Sequence, residues 1–254
     1  MTATFDVAPG FAAGLASEGI ASVADVLARS ACVRDLPSRS NHLLRVAGLA
    51  IHVKRTKGAR ASAEATVIGR ARAAGVPTAR VAFVGADPEA GAIVGTIDLA
   101  PARPLDDLLR EGAIARSLRA ALSGRLARAV AALHGAGLFP RDVYLNHVYV
   151  DPAVGAASLA LIDLERAIEP RWMPGRAARR DLAALLSSVP AGTVSRSELR
   201  RFLVRYFRAR GLDPRTELAA GWVVAIERKA RDIRGHVPGT PVGDAARPGF
   251  HLDD

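Results

Sequence analysis

The chain of 254 residues has a single cysteine, Cys32. One thiol excludes an intramolecular disulfide and any zinc site assembled from clustered cysteines. Aromatic residues are only 5% of the chain and no basic run is interleaved with them, so base stacking has little support and no nucleic-acid partner is expected. No apolar run approaches the roughly 20 residues that a membrane-spanning helix needs. The opening Met1-Thr2-Ala3-Thr4-Phe5-Asp6 lacks the basic segment that starts a secretory signal, and the expectation is a cytoplasmic chain. Lysine is scarce too: Lys54, Lys57 and Lys229 are the only three, so the net charge of +10 rests on arginine. Such an excess reflects either coding bias or a surface suited to anions such as phosphates and acidic lipid headgroups.

What is present is enough for a sizeable core, with 50% hydrophobic and 24% charged residues. That supports one two-lobed domain or two small ones. The organising stretch runs from Leu133 to Ala167. A helical pattern from Leu118 to His134 stops at Gly135 and Gly137, which suit a helix C-terminus. A polar loop holding Arg141 and Asp142 follows, then a β-rich run, Val148-Tyr149-Val150. Asp151-Pro152 through Gly155 reads as a turn, and the apolar run Leu159-Ala160-Leu161-Ile162 delivers Asp163. Two acids therefore flank a predicted hairpin, next to buried strand. An unpaired carboxylate is expensive there, so each is expected to have a metal, an arginine or a substrate as partner.

This arrangement resembles the catalytic core of protein-kinase-like enzymes, in which one loop supplies a catalytic Asp and a later Asp holds Mg²⁺. Arg141-Asp142-x-Tyr144-x-x-His147, followed by Ile162-Asp163-Leu164-x-Arg166, is similar to the lipopolysaccharide kinase family, whose members phosphorylate Kdo or heptose sugars of the lipopolysaccharide inner core. The resemblance covers roughly residues 35 to 210. It departs from the usual His-Arg-Asp at Pro140 and from the usual Asn at His147. It implies an α+β, two-lobed protein-kinase-like fold, with an antiparallel β N-lobe and a mainly helical C-lobe. It also implies ATP and Mg²⁺ (or Mn²⁺). Asp142 would accept or orient the proton of the acceptor hydroxyl, and Asp163 would carry the metal. Arg141 either neutralises charge in the loop or is structural. Oxygen ligands suit Mg²⁺ better than imidazole does, so His147 is read both as a metal ligand and as a residue that holds Asp142 or a phosphate.

Upstream, the alternation of Leu49 to Lys54 puts Leu49, Ile51 and Val53 on one strand face and Ala50, His52 and Lys54 on the other. Ile-His-Val-Lys resembles the kinase strand whose lysine pairs with ATP phosphates, a task suited to a compact ammonium. The turn expected to cover the phosphates, Pro37 to Asn41, has no glycine. Arg60 to Ala74 reads as a helix ended by Gly75-Val76-Pro77. Glu64, eleven residues before Gly75, is the family's expected partner for Lys54. Two strands, Val81 to Gly85 and Ala92 to Ile97, would complete a five-stranded N-lobe. Asp98-Leu99-Ala100-Pro101 falls where a kinase hinge holds adenine, which assigns Asp98 and Ala100 to nucleotide binding.

The expected organisation is residues 1–32 as an N-terminal helical extension, 33–100 as N-lobe, 101–234 as C-lobe and 235–254 as a loose tail. Asp181 is expected to open a helix, either as its cap or, as the resemblance implies, as a brace for the catalytic loop. Three readings compete. The first is a sugar kinase at the inner face of the cytoplasmic membrane, with a lipid-linked acceptor and an anionic membrane surface as partners. The second is another kinase-like phosphotransferase, acting on protein or on a small molecule such as an aminoglycoside. The third is a non-catalytic basic module such as a pseudokinase. The presence of Lys54, Glu64, Asp142 and Asp163 together argues against the third, and the Tyr144…His147 pattern favours the first over the second.

Overall fold

The computed structural model describes residues 2–56, 60–170 and 172–235; the expected tail beyond Gly235 lies outside them. The chain divides into two compact units. One comprises Met1–Arg70 with Thr78–Leu99, and the other comprises Ala71–Pro77 and the chain from Ala100 onward.

The first unit contains β1 (Thr4–Val7), α1 (Pro9–Ser17), α2 (Val23–Arg29), β2 (Ala31–Leu36), β3 (Arg39–Val46), β4 (Leu49–Thr56), most of α3 (Arg60–Ala73), β5 (Val81–Asp87) and β6 (Gly91–Ile97). The strands form one antiparallel sheet in the order β1-β5-β6-β4-β3-β2. Cross-strand register sorts the side chains by face. Leu44 of β3 lies opposite Ile51 of β4, and Val53 lies opposite Gly95 of β6. On this face Leu44, Val46, Ile51, Val53, Phe83 and Ile93 pack against Phe11, Leu15, Ile20, Val23 and Val26 from the N-terminal segment. The other face carries Ala92 and Val94, against which Ala65 of α3 packs. Lys54 lies opposite Val94, which places it on the α3 side.

Two sequence expectations change here. The N-terminal segment is not helical throughout. Thr4–Val7 forms a sixth strand on β5, too short for its alternation to register in the sequence. Its helices pack on one face of the sheet. The glycine-free turn is also shorter than expected. β2 ends at Leu36 and β3 begins at Arg39, so Arg39, Ser40 and Asn41 belong to the ladders with β2 and β4.

The second unit contains β7 (Arg103–Pro104), α4 (Leu105–Arg110), α5 (Arg116–Gly135), β8 (Val148–Val150), β9 (Ala160–Leu161), α6 (Pro174–Ser187), α7 (Arg196–Ala209) and α8 (Glu217–Gly235). The three strands pair in the order β7-β8-β9. α5 packs on α7 and α6 packs on α8. α7 starts in a capping box, in which Ser195 and Glu198 each satisfy the other's backbone N–H,. α6 starts at Pro174, so Asp181 sits mid-helix and is no N-cap.

Gly95 explains how Phe83 fits into this sheet. A Cβ at Gly95 would collide with the Phe83 ring, which is 1% exposed and has nowhere to move. Gly95→Ala is expected to destabilise the first unit by about 1–3 kcal/mol, the usual cost of overpacking. Urea unfolding of the variant beside the unmodified chain checks this, and an unchanged midpoint would show that the ring has room to relax.

Candidate active site

In the first unit the pleat of β4 and the turns of α3 bring Lys54 and Glu64 together. The ammonium lies 3.1 Å from each carboxylate oxygen. The lysine side chain is 21% exposed and the glutamate 6%, so this pair is not the solvated surface kind that contributes almost nothing. Asp98 donates its N–H to the Ala50 carbonyl and its carboxylate lies 3.1 Å from His52 Nε2.

In the second unit the loop after α5 is held from several sides. Arg141 adopts a left-handed backbone, φ 72°. Its N–H donates to Asp181 Oδ1 at 3.0 Å. The Asp142 carbonyl accepts from Tyr144 N–H at 3.0 Å and from His147 Nδ1 at 2.8 Å. A carbonyl only accepts, so Nδ1 carries a proton and the imidazole is oriented by it. The His147 carbonyl accepts the N–H of Ile162 at 3.0 Å, which places Asp163 next to the imidazole. His147 Nε2 stands 3.8 Å from Asp163 Oδ2, too far for a hydrogen bond. Asp163 is itself left-handed, φ 58°. Of the two reacting carboxylates expected from the sequence, Asp142 is the more enclosed, with its side chain 17% exposed.

Three contributors were not assigned a role from sequence. Arg166 donates from Nη1 to Asp142 Oδ2 at 2.7 Å; its only sequence signal was its place in the Ile-Asp-Leu-x-Arg motif. His134, from the last turn of α5, is 3% exposed. It stacks on Phe139, with ring centroids 4.8 Å apart. Its Nε2 lies 3.2 Å from Asp181 Oδ2 and its Nδ1 lies 2.8 Å from the Tyr206 hydroxyl. Burial holds the His134 pKa below the ordinary histidine value, with Asp181 opposing in part. The His134–Asp181 contact is therefore a hydrogen bond from a neutral ring, not an ion pair. Burial likewise pushes the Tyr206 phenol well above its ordinary value, so the phenol keeps its proton and donates it to Nδ1. Of the two readings of Asp181, the geometry agrees with the brace.

Among the described residues no group of three or more His, Cys, Asp or Glu side chains is arranged to hold a metal ion alone. The donor set fits Mg²⁺ in the way such ions are commonly held, by one or two carboxylates with phosphate oxygens and water completing the shell. Asp163 is the carboxylate expected in that role from the sequence, and its Oδ2 lies 3.8 Å from His147 Nε2.

Fold and site together define a protein-kinase-like protein. The model of the lipopolysaccharide kinase (Kdo/WaaP) family matches residues 40–206, and the chain belongs to that family. It is 39% identical over 121 residues to the lipopolysaccharide core heptose(I) kinase WaaP of Pseudomonas aeruginosa. That match spans 46% of this chain and 44% of that protein. A solved structure of WaaP in complex with acyl carrier protein superimposes with a TM-score of 0.70 at 30% identity, covering 92% of this chain and 99% of that one.

Burial of neutral His134 has a consequence for stability. The unfolded chain binds a proton at this ring near pH 6.5, while the folded chain does so only at lower pH. Stability therefore falls as pH drops below about 6.5, by at most about 1.4 kcal/mol per pH unit from this residue. His42, whose pKa burial also lowers, acts in the same direction. Urea unfolding at about pH 7 and about pH 5.5 is expected to show a smaller difference in His134→Asn than in the unmodified chain. An equal difference would mean that the ring is charged when folded.

Proposed function

We propose that the protein is an ATP- and Mg²⁺-dependent kinase that phosphorylates a sugar hydroxyl of the lipopolysaccharide inner core, on Kdo or heptose. The observation that carries this reading is the Asp142–His147–Asp163 arrangement inside the family match. It consists of two carboxylates borne by residues of one loop and hairpin, with an imidazole bonded to the Asp142 main-chain carbonyl at 2.8 Å and its other nitrogen 3.8 Å from Asp163.

Phosphoryl transfer asks the protein for positioning and charge neutralisation rather than covalent chemistry. Asp142 accepts or orients the proton of the acceptor hydroxyl. Arg166 fixes one of its oxygens, so the other is directed to the substrate. The His147 hydrogen bond to the main-chain carbonyl keeps Asp142 in register with Asp163. Asp163, with His147 beside it, holds the metal, which supplies neutralisation of charge on the phosphate oxygens. Lys54 pairs with nucleotide phosphates, and Glu64 keeps its ammonium in place. The 98–100 segment contacts adenine through main-chain groups other than the Asp98 N–H, which is already donated to Ala50. Arg141 holds the loop through its backbone.

The acceptor is attached to a lipid, so the enzyme works at the inner face of the cytoplasmic membrane. No helix among the described residues is long and apolar enough to cross one, and contact with the bilayer is peripheral. An aminoglycoside or protein acceptor is the alternative that the experiment separates.

Purified protein supplied with ATP, Mg²⁺ and deacylated inner core is expected to transfer phosphate to the sugar, and not to aminoglycosides or a protein acceptor. Asp142→Asn is expected to lower turnover by roughly 10²–10⁴-fold, the usual value of a positioned base, while nucleotide binding persists. Unchanged turnover would remove Asp142 from the mechanism. Titration calorimetry is expected to show tighter nucleotide binding with Mg²⁺ or Mn²⁺ than without, and Asp163→Ala to abolish that difference. Equal affinity with and without metal in the unmodified chain would refute the role given to Asp163.

A further inference from the structure

The segment between Asp163 and α6 departs from the rest of the surface. Ile168 pairs with Phe139 in a two-bond β-bridge, N–H to carbonyl at 3.0 Å and 2.9 Å. That bridge ties the segment to the chain just before Arg141. Beyond it Trp172 is 87% exposed and Met173 66% exposed. The other tryptophan shows what this fold does with an indole that has a local partner. Trp222 is half-buried, with the Phe207 ring centroid at 5.9 Å and the Arg179 guanidinium at 5.3 Å. Trp172 has no ring or cation contact of this kind among the described residues.

The charge around it is mixed, with a small basic excess: from Asp163 to Asp181 the sequence places Arg166, Arg171, Arg176, Arg179 and Arg180 against Asp163, Glu165, Glu169 and Asp181. Arg166 and Arg176 are exposed, while Arg179 and Arg180 are half-buried. An exposed indole and thioether beside excess arginine match an anionic bilayer interface. There, indole rings settle at headgroup level and basic side chains are drawn by the surface potential within about a Debye length. A protein partner of matching shape would be expected to bury a broader apolar area than these two side chains and Ile168 provide.

We propose that Trp172 and Met173, beside the exposed Arg176, insert into the anionic leaflet and hold the catalytic loop at the membrane surface. The inference rests on the kinase reading, because it gives the insertion a purpose: presenting Asp142 to a hydroxyl anchored in the same leaflet.

Flotation with phosphatidylglycerol-containing vesicles tests it. The unmodified chain is expected to float with them at low salt, to be released as salt rises, and to ignore pure phosphatidylcholine. Trp172→Ser is expected to weaken flotation roughly tenfold, the scale of losing one large buried apolar side chain. In the Trp222→Phe background, Trp172 emission is expected to shift to the blue on these vesicles and to be quenched by lipids brominated in their acyl chains. Trp172→Ser is further expected to leave phosphorylation of soluble deacylated core unchanged and to reduce phosphorylation of acceptor embedded in a bilayer. Unchanged flotation of Trp172→Ser, equal loss on both acceptors, or a blue shift that follows protein concentration without vesicles would overturn the proposal. The last of these would assign the patch to a second copy of the chain. Intact Trp172-dependent flotation with phosphate transferred to neither acceptor would sink the kinase reading and leave the membrane contact standing.

Discussion

The carboxylate of Asp181 is the constraint on which the second unit's site depends. It is 1% exposed, so each of its oxygens needs a donor. One oxygen takes the backbone N–H of Arg141 and the other takes the ring N–H of His134. His134 in turn accepts from Tyr206. This run of hydrogen bonds joins α7, α5, α6 and the loop that carries Asp142. Removing any member leaves a buried polar group unpaired, which costs more than the lost bond itself would suggest. The loop is therefore as rigid as the helix packing beneath it.

That rigidity holds two backbone conformations that side-chain-bearing residues rarely adopt. Arg141 and Asp163 are both left-handed, and such positions cost on the order of 1–3 kcal/mol each and persist only where the surroundings over-determine them. Here the surroundings do. Arg141 is fixed by Asp181, and Asp163 follows the hydrogen bond between Ile162 and the His147 carbonyl. The imidazole of His147 joins the two halves, with one nitrogen on the Asp142 carbonyl and the other facing Asp163. In the first unit the corresponding constraint is the pleat of the sheet. Because the N-terminal helices bury the Val53 face, Lys54 must emerge on the other one, where α3 presents Glu64.

Much of this was legible in the chain. Alternation in Leu49 to Lys54 sorts the two faces of β4 without reference to any other segment, and the family resemblance, through the distance to the Gly75-Val76-Pro77 break, points to Glu64. The short β-rich runs around Asp151-Pro152 deliver Asp163 at a strand end. What escaped is non-local. Arg166 meets Asp142 across 24 residues, His134 meets Asp181 across 47, and Tyr206 meets His134 across 72. No periodicity links such positions. Asp181 looked like a helix opening because Leu182 to Leu186 is apolar, yet the helix begins at Pro174 and Asp181 lies buried in its middle. β1 escaped because four residues are too few to establish a period, and its partner strand begins at Val81.

By itself, then, the sequence determined the local conformations and the chemical types at the site: which strand face bears the lysine, which loop bears the acid, and where helices stop. Those follow from backbone propensity and the burial period, which act over a few residues. Tertiary structure alone decided which donors meet the buried carboxylates, which histidine stays neutral, and which tryptophan is left in solvent. Those outcomes depend on desolvation and on distances of about 3 Å between side chains, and only packing of helices far apart in the chain sets either one.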